Sequence, residues 1–520
     1  MIRTAVALLL LAAAIPAWAA DVTIGRATEQ NSLDPLFSDL GNDVSTAENM
    51  FDSLIRFDAK LQIQPALAVS WKLLDPLTWE IALRQGVKFH DGTNFTAADV
   101  AYSLKRARNV PNSPGPLSSF VRSVKATEIV GSHTIRIHTD TPTPLLMDMI
   151  GRVFMIPAAL GPQVATDDFN AGRAMIGTGA YRFKTLLPGD RVVMQANPAH
   201  WDHEPEFGTV TLRFLANPAA RSAALLSGAV DIIEQIPPSD IGVFQNRPDV
   251  TMFSVVSTRV VYLAMDQGRD DSPFITDKEG KPLGVNPLKD RRVRLALSKM
   301  INRAAITERV LAGAGEPSGQ IVPEGMGGYD PSLKPMALDP EGARKLLAEA
   351  GYPDGFGVTI HGSNNRFPAD SQLTQALGQM LTRGGLKVNA IEVMPYNVYA
   401  PSATQRKFSL FHFSYGSGGS SSLNGLTGVL ATFDAAAGTG SLNRARYSNQ
   451  QFDAVLGLAA AEFDEPKRNK LLAEATRVAI EDGGILPLYW QKLFWAARQG
   501  YAIEPDRGEA TSTHFVHLVR

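Results

Sequence analysis

The stretch that decides the fold is PALAVSWKLLDPLTWEIALRQGVKFHDGTNFTAADVAYSLKRA, residues 65–107. Apolar and polar residues alternate through residues 77–92, which end on Asp-Gly, and this period of two predicts a β-hairpin region. Thr96 follows, with Asp99 three residues later, in the pattern of a helix N-cap with its capping box. The stretch therefore predicts two strands that lead into an amphipathic helix.

The second half of the chain alternates strands and helices. FGVTIHGS (residues 356–363), ADSQLTQALGQMLTR (369–383) and LKVNAIEV (386–393) have the order strand, helix, strand. Such a βαβ unit normally places its two strands parallel. Another strand is predicted at FSLFHFS (408–414), and one amphipathic helix is predicted over residues 291–311. The sequence thus predicts a large α/β protein with mixed sheets.

The bulk composition limits the possible partners and chemistry. With 520 residues the chain should form two to four domains. Its formal net charge is −2, and no long basic run is present, so neither nucleic acid nor an anionic membrane is an expected partner. There are no cysteines, which excludes disulfides, thiolate catalysis and Cys-ligated metals.

The N-terminus has the features of a secretory signal peptide. Arg3 precedes an apolar run from Ala5 to Ile15, and Ala17-Trp18-Ala19 provides a small-residue cleavage site. The run is too short to span a membrane, which takes ~20 residues. We therefore expect residues 1–20 to be a signal peptide and the mature protein to be periplasmic. Without cysteine it would not be a lipoprotein.

Common catalytic motifs are missing from the sequence. No glycine loop is followed by G-K-[ST], no G-x-S-x-G elbow occurs, and H-E-x-x-H is absent. We expect no catalytic residues and no cofactor.

Histidines leave a metal site open as an alternative. His200 and His203 lie together in HWDHE beside Glu204, and His412 lies in a predicted strand. The first pair is also typical of a surface turn, and His412 could point into the core. We expect no metal site, with a metal-chelate carrier kept as the alternative reading.

Positional evidence favours a binding site at two loops. In open α/β sheets, ligands bind beyond the carboxyl ends of the strands. The strands over 356–363 and 408–414 both end in small polar loops, and the loops converge if the strands are neighbours. The alternative is two ordinary surface loops. The candidate ligand-binding residues on these loops are Asn364, Asn365, Arg366, Tyr415, Gly416, Ser417 and Ser420.

Together with residues 65–107, several further segments occur in an order that resembles one family. They are GTGAYRF (177–183), NPAHW (197–201), RSAALLSGAVDI (221–232), DRRVRLALSKMINRAAI (290–306), DPEGARKLLAEAGYPDGF (339–356), YSNQQFDAVL (447–456) and PLYWQKLFWAAR (487–498). The mature chain resembles the family 5 extracellular solute-binding proteins of ABC importers, which bind dipeptides, oligopeptides and nickel.

The resemblance implies an α/β fold of two lobes, the type II-like periplasmic binding protein fold of cluster C, with mixed sheets. An extra subdomain is inserted in lobe I. Carried onto this chain, lobe I comprises residues 21–49, 177–263 and 488–520. The inserted subdomain comprises residues 50–176, and lobe II comprises residues 264–487.

The resemblance also implies a mechanism without bond making. A solute bound between the lobes stabilises the closed state, and a membrane permease of the ABC importer recognises closure. The expected partners are therefore a small polar solute, peptide-like or anionic, and the permease subunits, with the binding protein acting as a monomer. An exported hydrolase on a similar scaffold is the remaining alternative.

One departure from the family pattern concerns the loop after FSLFHF. Peptide-binding members carry Trp-Gly and then an acid there, which pairs with the peptide amine. Here Tyr415-Gly416 takes that place, and no acid occurs before Asp434. Arg366, Arg444 and Arg446 are the basic candidates nearby, or else solvated surface charges. We expect a ligand with an anionic or neutral polar group at this end.

Overall fold

The computed structural model describes residues 20–519, so the predicted signal peptide lies outside the described residues except for Ala20. The strands, in chain order, are β1 Val22–Arg26, β2 Ile55–Phe57, β3 Ile63–Pro65, β4 Ala68–Asp75, β5 Thr78–Leu83, β6 Val124–Gly131, β7 Thr134–Thr139, β8 Tyr181–Leu187, β9 Arg191–Ala196, β10 Thr209–Phe214, β11 Ile232–Glu234, β12 Val250–Met265, β13 Ile275–Thr276, β14 Gly315–Pro317, β15 Gly357–Ser363, β16 Lys387–Met394, β17 Leu410–Tyr415, β18 Leu486–Arg498, β19 Tyr501–Ile503 and β20 Val516–Leu518.

The α-helices are short for the most part. They are α1 Gly41–Ala47, α2 Ala97–Ala107, α3 Leu146–Ile150, α4 Thr166–Asn170, α5 Pro218–Leu226, α6 Ile241–Gln245, α7 Arg291–Met300, α8 Arg303–Ala305, α9 Pro340–Glu349, α10 Asp370–Gly384, α11 Tyr396–Thr404, α12 Leu423–Gly425, α13 Gln450–Ala461 and α14 Glu465–Glu481. Over residues 20–519, no helix is both long enough and apolar enough to cross a membrane.

Two long antiparallel strands, β12 and β18, join the two halves of the molecule. They are neighbours in a mixed 12-stranded sheet, in which ten strands follow the order β13-β15-β17-β12-β18-β11-β1-β10-β9-β8. The other two strands pair beside this path, β14 with β18 and β16 with β15. The first half of β12 pairs with β18 beside the N-terminal strands, whereas its second half also pairs with β17. The sheet therefore continues from one lobe into the other, and the expected two-lobed mixed α/β fold is confirmed.

A bulge in β12 marks the passage between the lobes. Val256 pairs with Lys492 and Val260 with Trp490, so that residues 257–259 have no regular partner. Bulges bend a strand and redirect its side chains. This bulge directs Thr258 and Arg259 toward the loop that follows β17.

A separate four-stranded antiparallel sheet, β4-β5-β7-β6, occupies the region predicted as the inserted subdomain. One buried core combines this region with the N-terminal and C-terminal strands, and two others lie mainly in the second half of the chain. The lobe boundaries given from the sequence remain our proposed division of the chain.

The decisive stretch forms its helix as predicted, whereas its strands pair only partly as predicted. Asp99 Oδ2 accepts hydrogen bonds from the Thr96 amide at 2.7 Å and the Thr96 hydroxyl at 3.0 Å, which confirms the capping box. The predicted hairpin region is confirmed only at its end, where Lys88 and Asn94 form an antiparallel bridge around Asp91-Gly92. The strand before it, β5, pairs instead with the preceding β4 on one edge and with β7 on the other. Strand β5 ends at Leu83, where the chain leaves the sheet.

The single helix predicted over residues 291–311 is interrupted. Helix α7 ends at Met300, Ile301 is extended, and the Asn302 side chain accepts from the Ala305 amide at 2.9 Å to begin α8. Asn competes with the helix for its backbone hydrogen bonds, which explains the break. The buried Arg303 guanidinium then donates to Ser298 O and Pro487 O across the break.

Candidate functional site

The two strands whose loops were expected to converge are parallel neighbours. Ile360 pairs with Leu410 and His361 with Phe411, so β15 and β17 end at the same edge of the sheet. The βαβ unit is confirmed as well, because β15 and β16 pair in parallel around α10. The sheet thus brings the loops after β15 and β17 to one place, as the sequence predicts.

The loop after β17, residues 414–425, is called the glycine-serine loop below. The amide and hydroxyl of Ser420 both donate to Asp148 Oδ2, at 2.9 and 2.6 Å. Asp148 belongs to α3, in the region predicted as the inserted subdomain, and its side chain is buried. The loop that lacks an acid of its own is therefore supplied with one from the facing lobe.

Gly418 and Gly419 allow the glycine-serine loop to lie directly against Arg152 and Asp148. A Cβ at Gly418 would overlap the Arg152 guanidinium, and a Cβ at Gly419 would overlap the Asp148 carboxylate. Any larger residue would push the loop away from α3 and Arg152. From the sequence we expect these glycines to let a solute approach the loop backbone. In this structure the side chains of Arg152 and Asp148 lie there instead.

Arg152 lies near three acids of the first lobe, Asp39, Glu48 and Asp506. Its positive charge favours their ionised forms, but burial outweighs it. Burial raises the pKa of Asp39 and Asp506 to about 6 and that of Glu48 to about 7. Burial, followed by the negative charge of Asp39, also raises the pKa of Tyr415 on the glycine-serine loop. The loop therefore faces a group of carboxyls that one guanidinium only partly neutralises.

On the second lobe, four side chains alternate in what we call the basic-aromatic wall: Arg366, Tyr396, Phe413 and Arg444. The Arg366 guanidinium carbon lies 5.0 Å from the Tyr396 ring centroid, and that of Arg444 lies 4.1 Å from the Phe413 centroid. The two ring centroids are 6.1 Å apart. Such stacking holds each guanidinium by cation–π attraction without neutralising its charge.

A charged pair from the hinge closes the site on a third side. Arg259, at the β12 bulge, forms two hydrogen bonds of 2.8 Å with the Glu509 carboxylate. Its Nη2 would lie 3.2 Å from a Cβ built on Gly416. Glu509 thus neutralises the charge of Arg259, whereas Arg366 and Arg444 stack on aromatic rings.

The other predicted residues have different surroundings. The Asn365 side chain accepts from the Tyr396 amide at 2.8 Å and so fixes the start of α11, while Asn364 is exposed. Ser417 is buried and hydrogen-bonds within its own loop. Arg446 stacks on Phe433, 3.8 Å from its centroid, and is not part of the basic-aromatic wall. The structure therefore brings Arg366, Tyr415, Gly416, Ser420 and Arg444 around one region.

The histidines considered as metal ligands are engaged in local contacts. His412 is fully buried, its Nε2 lies 2.8 Å from the Thr374 hydroxyl, and burial lowers its pKa to about 3. His200 Nδ1 lies 3.1 Å from the His203 carbonyl oxygen in a turn. Among residues 20–519, no three His, Asp or Glu side chains are grouped closely enough to hold a metal ion.

Sequence reasoning missed Asp148, Arg152, Asp39 and Arg259. A signal for the first two exists, because Asp148 and Arg152 are the charges in the otherwise apolar run from Leu145 to Ile156, four residues apart. Charges at that spacing share one face and need a partner when buried. No comparable pattern marks Asp39, which lies in a polar loop.

Comparison with known proteins shows the family of this chain. The family model described as "Bacterial extracellular solute-binding proteins, family 5 Middle" matches residues 62–436. The glutathione-binding protein GsiB of Salmonella typhi is 28% identical over 508 residues, which cover 95% of this chain and 94% of that protein. The GsiB protein of Escherichia coli O157:H7 is 27% identical over 502 residues, or 94% and 93% of the two chains.

Solved structures share the fold at lower identity. HbpA2 from Haemophilus parasuis aligns with a TM-score of 0.81 and 22% identity, covering 96% of this chain and all of its own (100%). The periplasmic binding protein DppA from Helicobacter pylori, in complex with the peptide STSA, aligns with a TM-score of 0.78 and 20% identity, covering 96% and 98%.

Proposed function

Because this chain belongs to the family 5 bacterial extracellular solute-binding proteins, we propose that it is the substrate-binding component of an ABC importer. It captures a small polar, peptide-like solute between its two lobes and delivers it to the permease subunits. The bound solute adds contacts that exist only in the closed state, and these contacts shift the population toward closure. The protein acts as a monomer and makes or breaks no bond in the solute.

The observation that carries the proposal is the opposition of charges across the site. Arg366 and Arg444 present two guanidiniums on the basic-aromatic wall, stacked on aromatic rings and not on carboxylates. Asp148 and the carboxyl of Asp39 lie on the facing lobe, near Tyr415 and the glycine-serine loop. A zwitterion with its carboxylate at the wall and its amine toward the acids satisfies both sides.

This proposal refines the ligand class expected from the sequence. The absent loop acid suggests an anionic or neutral group, and the wall supports an anionic group at that end. Asp148 restores a carboxylate from the other lobe, so a protonated amine is accommodated too. Since relatives of this chain are named glutathione-binding proteins, glutathione, with two carboxylates and one amine, is the first solute to test.

A ligand screen tests the proposal. Thermal unfolding would be followed with glutathione, di- and tripeptides, nickel–histidine and neutral sugars, and calorimetry would give Kd for any ligand that stabilises. A binder gains about 2.7 kcal/mol at a ligand concentration of 100 Kd. We expect saturable stabilisation by a zwitterion, with the ligand recovered intact. Stabilisation by nickel–histidine alone would support the metal-chelate alternative, and steady ligand breakdown would support a hydrolase.

We also propose export to the periplasm, with cleavage after Ala19 or Ala20. The supporting observation is the n-region, apolar run and Ala17-Trp18-Ala19 site of the sequence. N-terminal sequencing of the protein recovered from a periplasmic extract tests it. Recovery of the uncleaved chain in the membrane fraction would contradict it.

A further inference from the structure

A cavity of about 720 Å³ lies next to the proposed site between the lobes. Its walls come from α1 and the chain up to Ala66, from residues 151–154, from the turn at 203–206 and from C-terminal residues 504–517. Neither the basic-aromatic wall nor the glycine-serine loop contributes to it. Two residues named at the proposed solute site, Glu48 and Arg152, also line the cavity, so the two regions adjoin.

Acidic side chains outnumber guanidiniums around this cavity, six to two. The acids are Glu48, Asp52, Asp58, Glu204, Glu206 and Glu504. Several are already engaged: Asp52 accepts hydrogen bonds of 2.8 Å from Thr178 and Trp201. Both guanidiniums are engaged too, since Arg56 pairs with Asp202 and Arg152 packs against Gly418.

Glu48 differs from the other acids of the cavity. Its Oε2 is buried and has no hydrogen-bond partner within residues 20–519. A buried carboxylate oxygen without a partner loses the full free energy of hydration, so such groups are normally satisfied. Burial, together with the charge of Asp506, raises the pKa of Glu48 to about 7. Because Glu48 also lines the cavity, a cation bound there would favour its ionised form through its charge.

Aromatic rings complete the lining. They belong to Phe51, Phe57, Phe154, Tyr181 and Phe515. Ring faces attract ammonium groups, and apolar ring surface takes up carbon skeletons. Carboxylates combined with several rings are the chemistry that recognises an organic cation.

We propose that this cavity is a second binding site, which takes an organic cation with its protonated amine against Glu48 and its carbon skeleton against the phenylalanine rings. The proposal does not depend on the solute proposed for the region between the lobes. Arg152 borders both sites, because its guanidinium lies against Gly418 and its guanidinium carbon is 5.5 Å from the Phe57 ring centroid.

Calorimetry on the full mature chain tests the proposal, with spermidine and benzylamine as probes and N-acetylbenzylamine as the neutral control. We expect saturable binding of at least one amine and none of the neutral control. Glu48→Gln should weaken amine binding at least tenfold. The matched variant Glu465→Gln, which changes an exposed acid of α14 outside the cavity, should leave it unchanged.

The number of protons released on amine binding distinguishes a direct role of Glu48 from a purely structural one. At pH 7 in buffers of different ionisation enthalpy, amine binding to the wild type should release part of a proton, since the cation ionises Glu48. Glu48→Gln should abolish this release. Phe57→Leu is a second variant, expected to weaken amine binding severalfold should Glu48→Gln fold poorly.

Three results would overturn the inference. One is the absence of amine binding to the wild type, and another is equal affinity in Glu48→Gln. The third is competition between the amine and a solute bound between the lobes, which would place both in one site. Solute binding that persists while amines fail would overturn the second site alone and leave the proposed function intact.

Discussion

Ser420 donates two hydrogen bonds to a single oxygen of Asp148, one from its amide at 2.9 Å and one from its hydroxyl at 2.6 Å. The two residues are 272 positions apart and lie on opposite sides of the proposed site. Because hydrogen bonds to charged groups are worth ~1.5–3 kcal/mol each, this contact favours the closed arrangement over an open one. It is the most direct link between the lobes at the glycine-serine loop.

Asp148→Asn should weaken that link. The amide removes the negative charge that both donors of Ser420 share, so the closed state loses stability and the affinity for the solute falls roughly tenfold. Calorimetry would measure the affinity, and small-angle scattering the degree of closure. Asp167→Asn, an exposed acid of α4 in the same region, serves as the control. Equal loss in both variants would contradict the role of Asp148.

Gly418→Ala should oppose closure by a steric route. Its Cβ would overlap the Arg152 guanidinium, whereas the backbone at Gly418 tolerates a side chain. We expect a weaker affinity, by about tenfold, with little change of thermal midpoint in the absence of solute. Gly428→Ala is the matched control, because its Cβ would lie 3.5 Å from Leu442, an ordinary contact. Unchanged affinity in Gly418→Ala would show that the loop does not need this approach.

Arg366→Ala should reduce the affinity for a carboxylate-bearing solute by ~10- to 100-fold, since it removes a charge-assisted bond. Arg446→Ala is the internal comparison. Arg446 donates to the Asn443 carbonyl at 2.8 Å and stacks on Phe433, away from the wall. We therefore expect Arg446→Ala to leave affinity within twofold of the wild type. The reverse order of effects in calorimetry would exclude the basic-aromatic wall as the carboxylate site.

His412 should make the protein less stable in acid. Its folded pKa of about 3 lies below the ordinary value of 6.5, so the unfolded chain binds more protons between these values. Stability therefore falls as the pH drops from 6.5 toward 3, by roughly 2 kcal/mol at pH 5 for this residue alone.

The test compares thermal midpoints of the wild type and His412→Gln at pH 7.5 and pH 5. Gln keeps a partner for the Thr374 hydroxyl but does not titrate, so the variant should lose less stability on acidification. Buried His90 and His514, with pKa values of about 4, have the same sign as His412, whereas Asp39, Glu48 and Asp506 have the opposite sign. The contribution of His412 is therefore the difference between the wild type and His412→Gln in the loss of thermal midpoint from pH 7.5 to pH 5. Parallel acid curves for both proteins would refute the prediction.

Local patterns in the sequence predict elements well where the decisive interactions are close in the chain. The capping box of Thr96 and Asp99 spans three residues, and the parallel strands around α10 follow from one continuous βαβ unit. The prediction for residues 77–92 holds for the turn at Asp91-Gly92 but misses the pairing of β5 with β7, which is more than fifty residues away. The prediction of one continuous helix over residues 291–311 fails for a local reason, because the Asn302 side chain caps a new helix at Ala305.

The candidate site likewise contains some residues that the sequence predicts and others that it does not. Arg366, Tyr415 and Ser420 are found from the sequence because each follows a recognisable strand, and strand ends indicate where ligands bind. Asp148 and Arg152 are not found, since nothing local shows that α3 faces the glycine-serine loop. Their buried charges in an apolar run indicate only that partners exist, not which ones.

By itself, then, the sequence determined the family and the α/β class and indicated the two loops that we propose for the solute, because these depend on short-range patterns and their order. The tertiary structure alone decided which charges oppose each other across the site. A carboxylate absent from the glycine-serine loop is supplied by Asp148 from the facing lobe, since hydrogen bonding depends on distance in space and not on separation along the chain.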